Sequence, residues 1–473
     1  MRKGHMIMTN NKVRINKITL WDIKNVEHGV FHFNTADALR QEKASIAGIY
    51  GQNASGKTVV IEALAIIKHI MKGERIPPRY LDSISSGKSE CSIEIEFLIM
   101  NDDANTNIDC TATYKCSLSR RNDPNESDEN PKEIISVVSE SLRARGTAFG
   151  EKYILQDIAR TDESCSLLLP IEKQNILFGT NQDVLKALEH QKILALYGSR
   201  SFLFSSQARG AILQAQKLND KSYVNWPLIT VMALYEYANF RLFVIDELTV
   251  LNLDFHFISK FEKFTFPLNV PALLSSGVSI PMNFANEINQ LLPRLNSVIS
   301  VIVPGLALEC KFEKASLDES DNKYRIEFFS CREGLGTFPF KNESLGIKKI
   351  VSFIVLLIEA YNNPGFTLAI DEMDASIFEY LLGEILDIMG SFGKGQLLFT
   401  SHNLRPLERL DSHSIWFTTT DPSNRYTQLS KKATNNLRDM YLRAVHLGND
   451  GVELYSGESK SALAHAFRKM GRN

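Results

Sequence analysis

Cysteine is scarce in this chain: six in 473 residues, Cys91, Cys110, Cys116, Cys165, Cys310 and Cys331. They are too few for a disulfide scaffold, and their spacing makes no zinc pattern, so reduced thiols in a cytoplasmic protein are expected. No single sign of charge dominates. Lysine plus arginine total 53 and aspartate plus glutamate 55, a formal net charge of -2. This balance excludes a generally basic nucleic-acid coat and a polyanionic tail, though not a local basic groove. No targeting segment is visible at the N-terminus. Long hydrophobic runs are missing too. The most apolar stretch, Ile350 to Ile358, stops at Glu359, short of the ~20 residues a membrane helix needs. No sustained heptad exists, which excludes a long coiled-coil arm. No internal repeat is found.

What is present suits a large core: 44% hydrophobic and 23% charged residues. Val13 to Leu20 alternates as a half-buried strand does, and Val26 to Phe33 is its expected partner. Ser45 to Tyr50 is a strand running into Gly51-Gln-Asn-Ala-Ser-Gly-Lys-Thr58, followed by an apolar helix from Val59 to Met71. Cys91 to Ile99 and Asn107 to Leu118 read as an antiparallel hairpin around the turn-rich 101–105. The polar stretch Arg120 to Lys132 is expected to be an exposed loop. Residues 151–295 are expected to be mainly helical, including Trp226 to Ile245. Strands are expected at Val298 to Phe312, Lys323 to Ser330, Phe366 to Ile370 and Gln396 to Thr400. Helices are expected from Ser344 and over Ile377 to Met389. Short apolar strands alternating with helices are α/β grammar with a parallel sheet.

Three elements carry chemistry. Gly51-x-x-x-x-Gly56-Lys57-Thr58 fits the phosphate-loop pattern. Its glycines let backbone N–H groups turn inward around phosphate oxygens, and the helix that follows presents unpaired N–H groups at the same place. Lys57 can reach β- and γ-phosphates, and the Thr58 hydroxyl can ligate Mg²⁺. Phe366 to Ile370 delivers Asp371 and Glu372 at a strand's carboxyl end, where open α/β sheets bind ligands. Asp371 is the metal candidate and Glu372 the candidate to polarise an attacking water. His402, just past the strand Gln396 to Thr400, is placed to sense a γ-phosphate.

The stretch Gly51-Gln-Asn-Ala-Ser-Gly-Lys-Thr58 resembles the phosphate loop of ABC-type ATPases. Glu343-Ser-Leu-Gly-Ile-Lys-Lys349 looks like their signature motif in RecF-like and chromosome-maintenance branches. Asp371-Glu372, Met373-Asp374-Ala-Ser376 and His402 match, in order, the Walker B pair, the D-loop and the switch histidine. The resemblance implies an α/β, ABC-type P-loop NTPase head with an antiparallel β lobe and an inserted helical lobe. It implies ATP and Mg²⁺ as cofactors. Gly51, Gln52, Asn53, Ala54, Ser55, Gly56, Lys57 and Thr58 would hold the nucleotide together with Asp374, while Ser344 and Gly346 would face the γ-phosphate bound on another protomer. Thr58 and Asp371 would hold the metal; Glu372, His402 and Lys57 would be catalytic. Ile347 and Phe378 depart from the family pattern, which often has threonine and histidine there. Gln156, Gln174 and Gln207 all fit the Q-loop glutamine, and none is assigned.

The expected division is 12–150 and 296–425 as the two halves of the head, 151–295 as the helical insertion and 426–473 as a C-terminal lobe or docking tail. The absence of a membrane domain disfavours transport. The plan is similar to compact ATPases of the overcoming-lysogenization-defect class and to ATPase subunits of PARIS anti-phage systems. That resemblance implies a homo-oligomer of paired heads or a hexameric ring, a separate TOPRIM nuclease effector and a phage-protein trigger. A DNA-repair or recombination ATPase contacting DNA directly is the alternative, with Lys348, Lys349 and Arg405 as candidate basic positions.

Overall fold

The computed structural model describes residues 11–33, 35–101, 107–123, 132–218, 226–246, 278–314, 323–375, 377–429, 437–447, 454, 465 and 467–470. Strands β1 (Lys12–Ile23) and β2 (Val26–His32) form an antiparallel hairpin. Helix α1 (Ala36–Arg40) leads to β3 (Ser45–Tyr50), which is buried throughout, and α2 (Lys57–Lys72) follows the glycine-rich stretch. Four long strands come next: β4 (Glu90–Asn101), β5 (Ile108–Asn122), β6 (Glu133–Ala148) and β7 (Glu151–Asp162). With the first hairpin they build an antiparallel sheet in the order β2-β1-β4-β5-β6-β7. Alternation explains why it has one dry face: Ile93, Ile95, Phe97 and Ile99 on β4 and Ala112, Tyr114 and Cys116 on β5 are buried, with half-exposed residues between. Helices α3 (Ile171–Phe178), α4 (Gln182–Tyr197), α5 (Ser206–Leu218) and α6 (Trp226–Phe240) share one core with that face and with α2.

Strand β8 (Leu242–Ile245) then enters a second sheet. A smaller antiparallel sheet follows, made of β9 (Val278–Pro281), β10 (Leu306–Lys314), β11 (Lys323–Arg332) and β12 (Gly336–Pro339). Helices α7 (Met282–Ile302) and α8 (Leu345–Asn362) share its core. The chain returns through β13 (Thr367–Ile370), α9 (Glu379–Phe392), β14 (Gln396–Thr400), α10 (Pro406–Arg409), β15 (Ile415–Thr418), β16 (Tyr426–Thr427) and α11 (Leu437–Leu447). The second sheet runs β16-β15-β3-β14-β13-β8, parallel except for the β15–β16 pair. The fold is the expected α/β P-loop head with antiparallel β and helical lobes. β14 alone separates the strand leading into Gly51 from the strand ending at Asp371, so their carboxyl ends share one edge.

Several local expectations need correction. Residues 151–162 are strand, not helix, because β7 completes the hairpin begun by β6 across residue 150. Trp226 to Ile245 is a helix followed by a strand, since Leu242 to Ile245 pairs with β13. Val298 to Ile302 belongs to α7. Its β-branched residues suit a strand, but Ile288, Leu295 and Ile299 bury one helical stripe, and the chain turns at Pro304-Gly305 before β10. Part of the expected polar loop is strand, as β5 continues through Asn122; residues 124–131 and most of the 101–105 turn lie outside the described residues. The six cysteines are free thiols. Among the described residues no helix is long and apolar enough to cross a membrane.

Two buried side chains join the two six-stranded sheets. Gln396, at the start of β14, donates from Nε2 to Ile15 O at 2.7 Å and accepts Ile15 N–H at 3.0 Å and the Thr367 hydroxyl at 3.1 Å. Arg14 donates from Nε to Pro364 O at 2.8 Å and from Nη2 to Lys394 O. Burial lowers its pKa to about 10. Replacing Gln396 with leucine strands both backbone groups of Ile15 in a dry interface, which costs about 3 kcal/mol at the usual penalty for unmade buried hydrogen bonds. The expected result is a clearly lower urea midpoint; a midpoint equal to wild type refutes this assignment.

Candidate active site

The turn after β3 is braced from three sides. Gly51 lies so close to Thr418 that a Cβ there would sit 1.7 Å from its Oγ1. Thr418 Oγ1 and Ser55 Oγ share a hydrogen bond of 2.5 Å, and Ser55 also bonds Gln52 O at 2.7 Å. Gly56 has φ of 97°, a conformation that strains any side chain. Its carbonyl accepts the Tyr426 hydroxyl at 2.8 Å. Arg425 donates to Thr419 O and Asn25 O, at 2.6 and 2.5 Å, and Asn25 Nδ2 donates to Ala54 O. The hairpin turn of β1–β2 and the β15–β16 hairpin thus hold the loop. Asn53 and Ala54 are left exposed at its crest, beside half-exposed Gln52.

Lys57 is buried and curls back over the loop. Its Nζ donates to Gly51 O at 2.9 Å and Gln52 O at 2.8 Å. Burial lowers its pKa, while Asp371, Glu372 and Asp374 pull the other way. Thr58 Oγ1 donates to Asp371 Oδ1 at 3.3 Å. The Thr400 hydroxyl donates to the same oxygen at 2.5 Å and accepts Glu372 N–H at 2.8 Å. Glu372 holds φ of 47°, left-handed for a residue with a side chain. Such strain costs on the order of 1–3 kcal/mol and persists only where neighbours enforce it. Here Thr400 does so from the next strand.

Asp374 ties the acidic strand end to the neighbouring loop. Its Oδ2 accepts the backbone N–H of His402 at 3.0 Å and of Asn403 at 2.8 Å, so it anchors the histidine loop. The His402 side chain is exposed. The fold therefore gathers residues 51–58, 371, 372, 374 and 402 on one edge.

Ser344 and Gly346 stand apart from them. Ser344 caps α8, its Oγ accepting Ile347 N–H at 3.3 Å. Glu343, just before it, is buried and paired with Arg332 through two hydrogen bonds of 3.0 Å, which fixes the helix entry. Among the described residues no hydrogen bond or ion pair joins Ser344 or Gly346 to the loop or the acidic residues. The same holds for Gln156, Gln174 and Gln207. Lys348 donates to Lys341 O and Arg405 pairs with Glu408, each at 2.5 Å.

Sequence reasoning missed Thr400, Thr418 and Asp246. Asp246 directly follows β8, level with Asp371, buried and held by Tyr80 at 3.1 Å and Arg79 at 3.2 Å. Its signal was present, for Leu242-Phe-Val-Ile-Asp246 repeats the apolar-run-then-aspartate pattern of Leu368-Ala-Ile-Asp371. The two threonines had no local signal.

A family model described as "AAA domain, putative AbiEii toxin, Type IV TA system" matches residues 46–408. The chain belongs to that AAA-domain family. The match runs from β3 to α10, so the phosphate loop, the acidic strand end and His402 of this AAA-domain chain all fall inside it. A search of curated proteins finds no match. Among solved structures the chain is similar to an SMC head domain from Pyrococcus furiosus with an extended coiled coil, bound to the C-terminal domain of ScpA. Identity is 11% over 88% of this chain and 96% of that one, at a TM-score of 0.41. It is similar to the SMC head domain from Thermotoga maritima, with 12% identity over 88% and 100% and a TM-score of 0.35. It is also similar to the recombination mediator RecF with ATP, with 11% identity over 89% and 100% and a TM-score of 0.36. Likenesses this loose carry no functional argument.

Asp374 holds the histidine loop through two amides. Replacing it with alanine is expected to speed hydrogen exchange at the His402 and Asn403 amides at least tenfold, with β14 unchanged. Equal exchange in variant and wild type refutes the anchor.

Proposed function

We propose that the chain binds ATP with Mg²⁺ and hydrolyses it. The observation that carries this is the meeting of Lys57, Thr58, Asp371 and Glu372 on one sheet edge. The loop's backbone N–H groups and the start of α2 would cradle the phosphates. Lys57, already turned across the loop, would exchange its carbonyl contacts for phosphate oxygens. The hydroxyl of Thr58 and the carboxylate of Asp371, 3.3 Å apart, are the hard oxygen donors Mg²⁺ takes; when bound, the ion would neutralise phosphate charge. Glu372, partly exposed and locked by its backbone, would orient the attacking water and accept its proton. His402 would report the γ-phosphate to Asp374.

We further propose that the site is completed by a second copy, whose Ser344 and Gly346 at the start of α8 would face the γ-phosphate. Two features support this: among the described residues no hydrogen bond or ion pair joins either to its own chain's loop, and Phe378 and Tyr380, just after the acidic edge, are 75% and 56% exposed. The homo-oligomer would act as the sensor and scaffold of an anti-phage defence complex, holding a separate TOPRIM nuclease until a phage protein releases it. The resemblance to PARIS-type subunits supports this role, and the family description, which names a toxin of a type IV toxin–antitoxin system, fits a two-component arrangement. Direct DNA binding has less support, since Lys348 and Arg405 are engaged locally.

Lys57→Ala is expected to lose nucleotide affinity at least tenfold and all turnover. Glu372→Gln should bind ATP normally and hydrolyse it about a hundredfold more slowly, the usual scale for a lost general base. Nucleotide titration and phosphate release check both, and wild-type turnover in either variant overturns the assignment. Native mass measurement of Glu372→Gln with ATP and Mg²⁺, co-expressed with any TOPRIM nuclease encoded beside it, is expected to show an even-numbered homo-oligomer carrying the nuclease. A monomer overturns the shared site; an oligomer that leaves the nuclease free overturns the effector role alone.

A further inference from the structure

Away from the strand-end site, a cleft of about 590 Å³ opens between β6, the end of β7 and α4. That volume lies within the range of ligand sites. One wall is apolar, with Val137 and Val138 of β6, Ile193 and Leu196 of α4 and Phe202. The other is polar, formed by the turn from Thr161 to Ser166.

The charges around it are not balanced in their commitments. The Asp162 carboxylate is consumed by its own turn, accepting the N–H and hydroxyl of Ser164 at 2.9 and 2.5 Å and Cys165 N–H at 3.1 Å. Glu163 pairs with Arg121. Glu140, at the floor, is fully buried and accepts from the Tyr114 and Ser201 hydroxyls and from Phe202 and Leu203 N–H. Glu140 and Glu163 are therefore satisfied, and Asp162 is held through Oδ1. The cations are held less closely: Lys192 feels Asp162 only through the field, and among the described residues neither it nor Arg200 has a carboxylate within ion-pair distance. Lys192 points to the carbonyl and, at 3.4 Å, the thiol of Cys165. Arg200 is exposed at the mouth.

The apolar wall also continues out of the cleft along α4. Ile193, Leu194 and Tyr197 are 56%, 61% and 45% exposed, and positions three and four apart share a helix face. A small inorganic anion would use the cations and leave this strip bare, and a nucleic-acid backbone would do the same.

We propose that this cleft binds an acidic peptide segment of a partner protein, its carboxylates on Lys192 and Arg200 and an aliphatic or aromatic side chain against Val138, Ile193 and Tyr197. The proposal goes beyond the ATPase reading and does not depend on it.

The test is a random-peptide display selection on the full-length chain, followed by fluorescence anisotropy with the labelled winning peptide. The reference is the double variant Lys192→Glu, Arg200→Glu, with an unchanged thermal melt as the folding control. The expected motif is acidic and apolar, and the double variant should lose at least tenfold in affinity. Ile193→Ser, which leaves both cations in place, should also weaken binding, and an unaffected variant refutes the apolar half. No acidic motif, or equal binding to the double variant, overturns the proposal. So does inorganic pyrophosphate or a labelled single-stranded oligonucleotide that binds with the same sensitivity to charge reversal while no peptide is enriched.

Discussion

The capture of β1 by β14 is the constraint on which the rest of the structure depends. β1 belongs to the antiparallel sheet, yet both backbone groups of Ile15 are satisfied by one side chain of the parallel sheet, Gln396. Arg14 repeats the link beside it, reaching the turn before β13 and the residue Lys394 before β14. Such bonds are directional, and in a dry interface they cannot be traded for water, so they fix the β lobe to the head in one register. The turn between β1 and β2 is thereby delivered to the phosphate loop, where Asn25 meets Ala54 and Arg425.

The same strand carries the consequence to the site. Gln396 opens β14 and Thr400 closes it, so the residue that sets the lobe and the residue that sets the carboxylates are four steps apart on one buried strand, about 13 Å at the usual rise. Thr400 binds Asp371 Oδ1 and Glu372 N–H together. This explains how Glu372 keeps a left-handed backbone that no glycine relieves. The next residues of the strand's continuation, His402 and Asn403, are held by Asp374, two positions past Glu372. The histidine loop and the strained glutamate are thus tied by the Asp374 carboxylate, the Thr400 hydroxyl and the Met373 N–H on Thr400 O.

How much of this was legible follows from how local each signal is. Gly51 to Thr58, the strand before it, Asp371-Glu372 and the helix start at Ser344 are written in runs of a few residues, and the structure forms each where expected. Gln396 and Ile15 are 381 residues apart, and nothing near either marks a buried glutamine as a clamp. Thr400 and Thr418 are ordinary strand threonines until β3 and β13 lie beside them. β8 was hidden for another reason: four apolar residues directly after a buried helix have no alternation, and a period cannot separate strand from helix over so short a run. At Val298 to Ile302 propensity pointed to a strand, but the burial of Ile288, Leu295 and Ile299 against the small sheet settled the helix. That contest is one tertiary packing usually wins.

The cleft in the β lobe gains meaning from what stands behind it. Its floor residue Glu140 bonds Ser201, Phe202 and Leu203, and Ser199 in the same segment accepts Ile76 N–H at 2.9 Å. Ile76 lies just past the end of α2, whose other end is Lys57. Burial pushes the Glu140 carboxyl upward against the pull of its hydrogen bonds, so this hub is held together by geometry at the expense of solvation. Ser199 adds a left-handed backbone of its own, with φ of 58°. A helix of sixteen residues is about 24 Å of stiff rod. The cleft's floor stands at one end of that rod, and the phosphate loop sits on the other. The segment under the cleft also closes on that end directly, for Gly73 leaves no room for a Cβ beside Phe204 O.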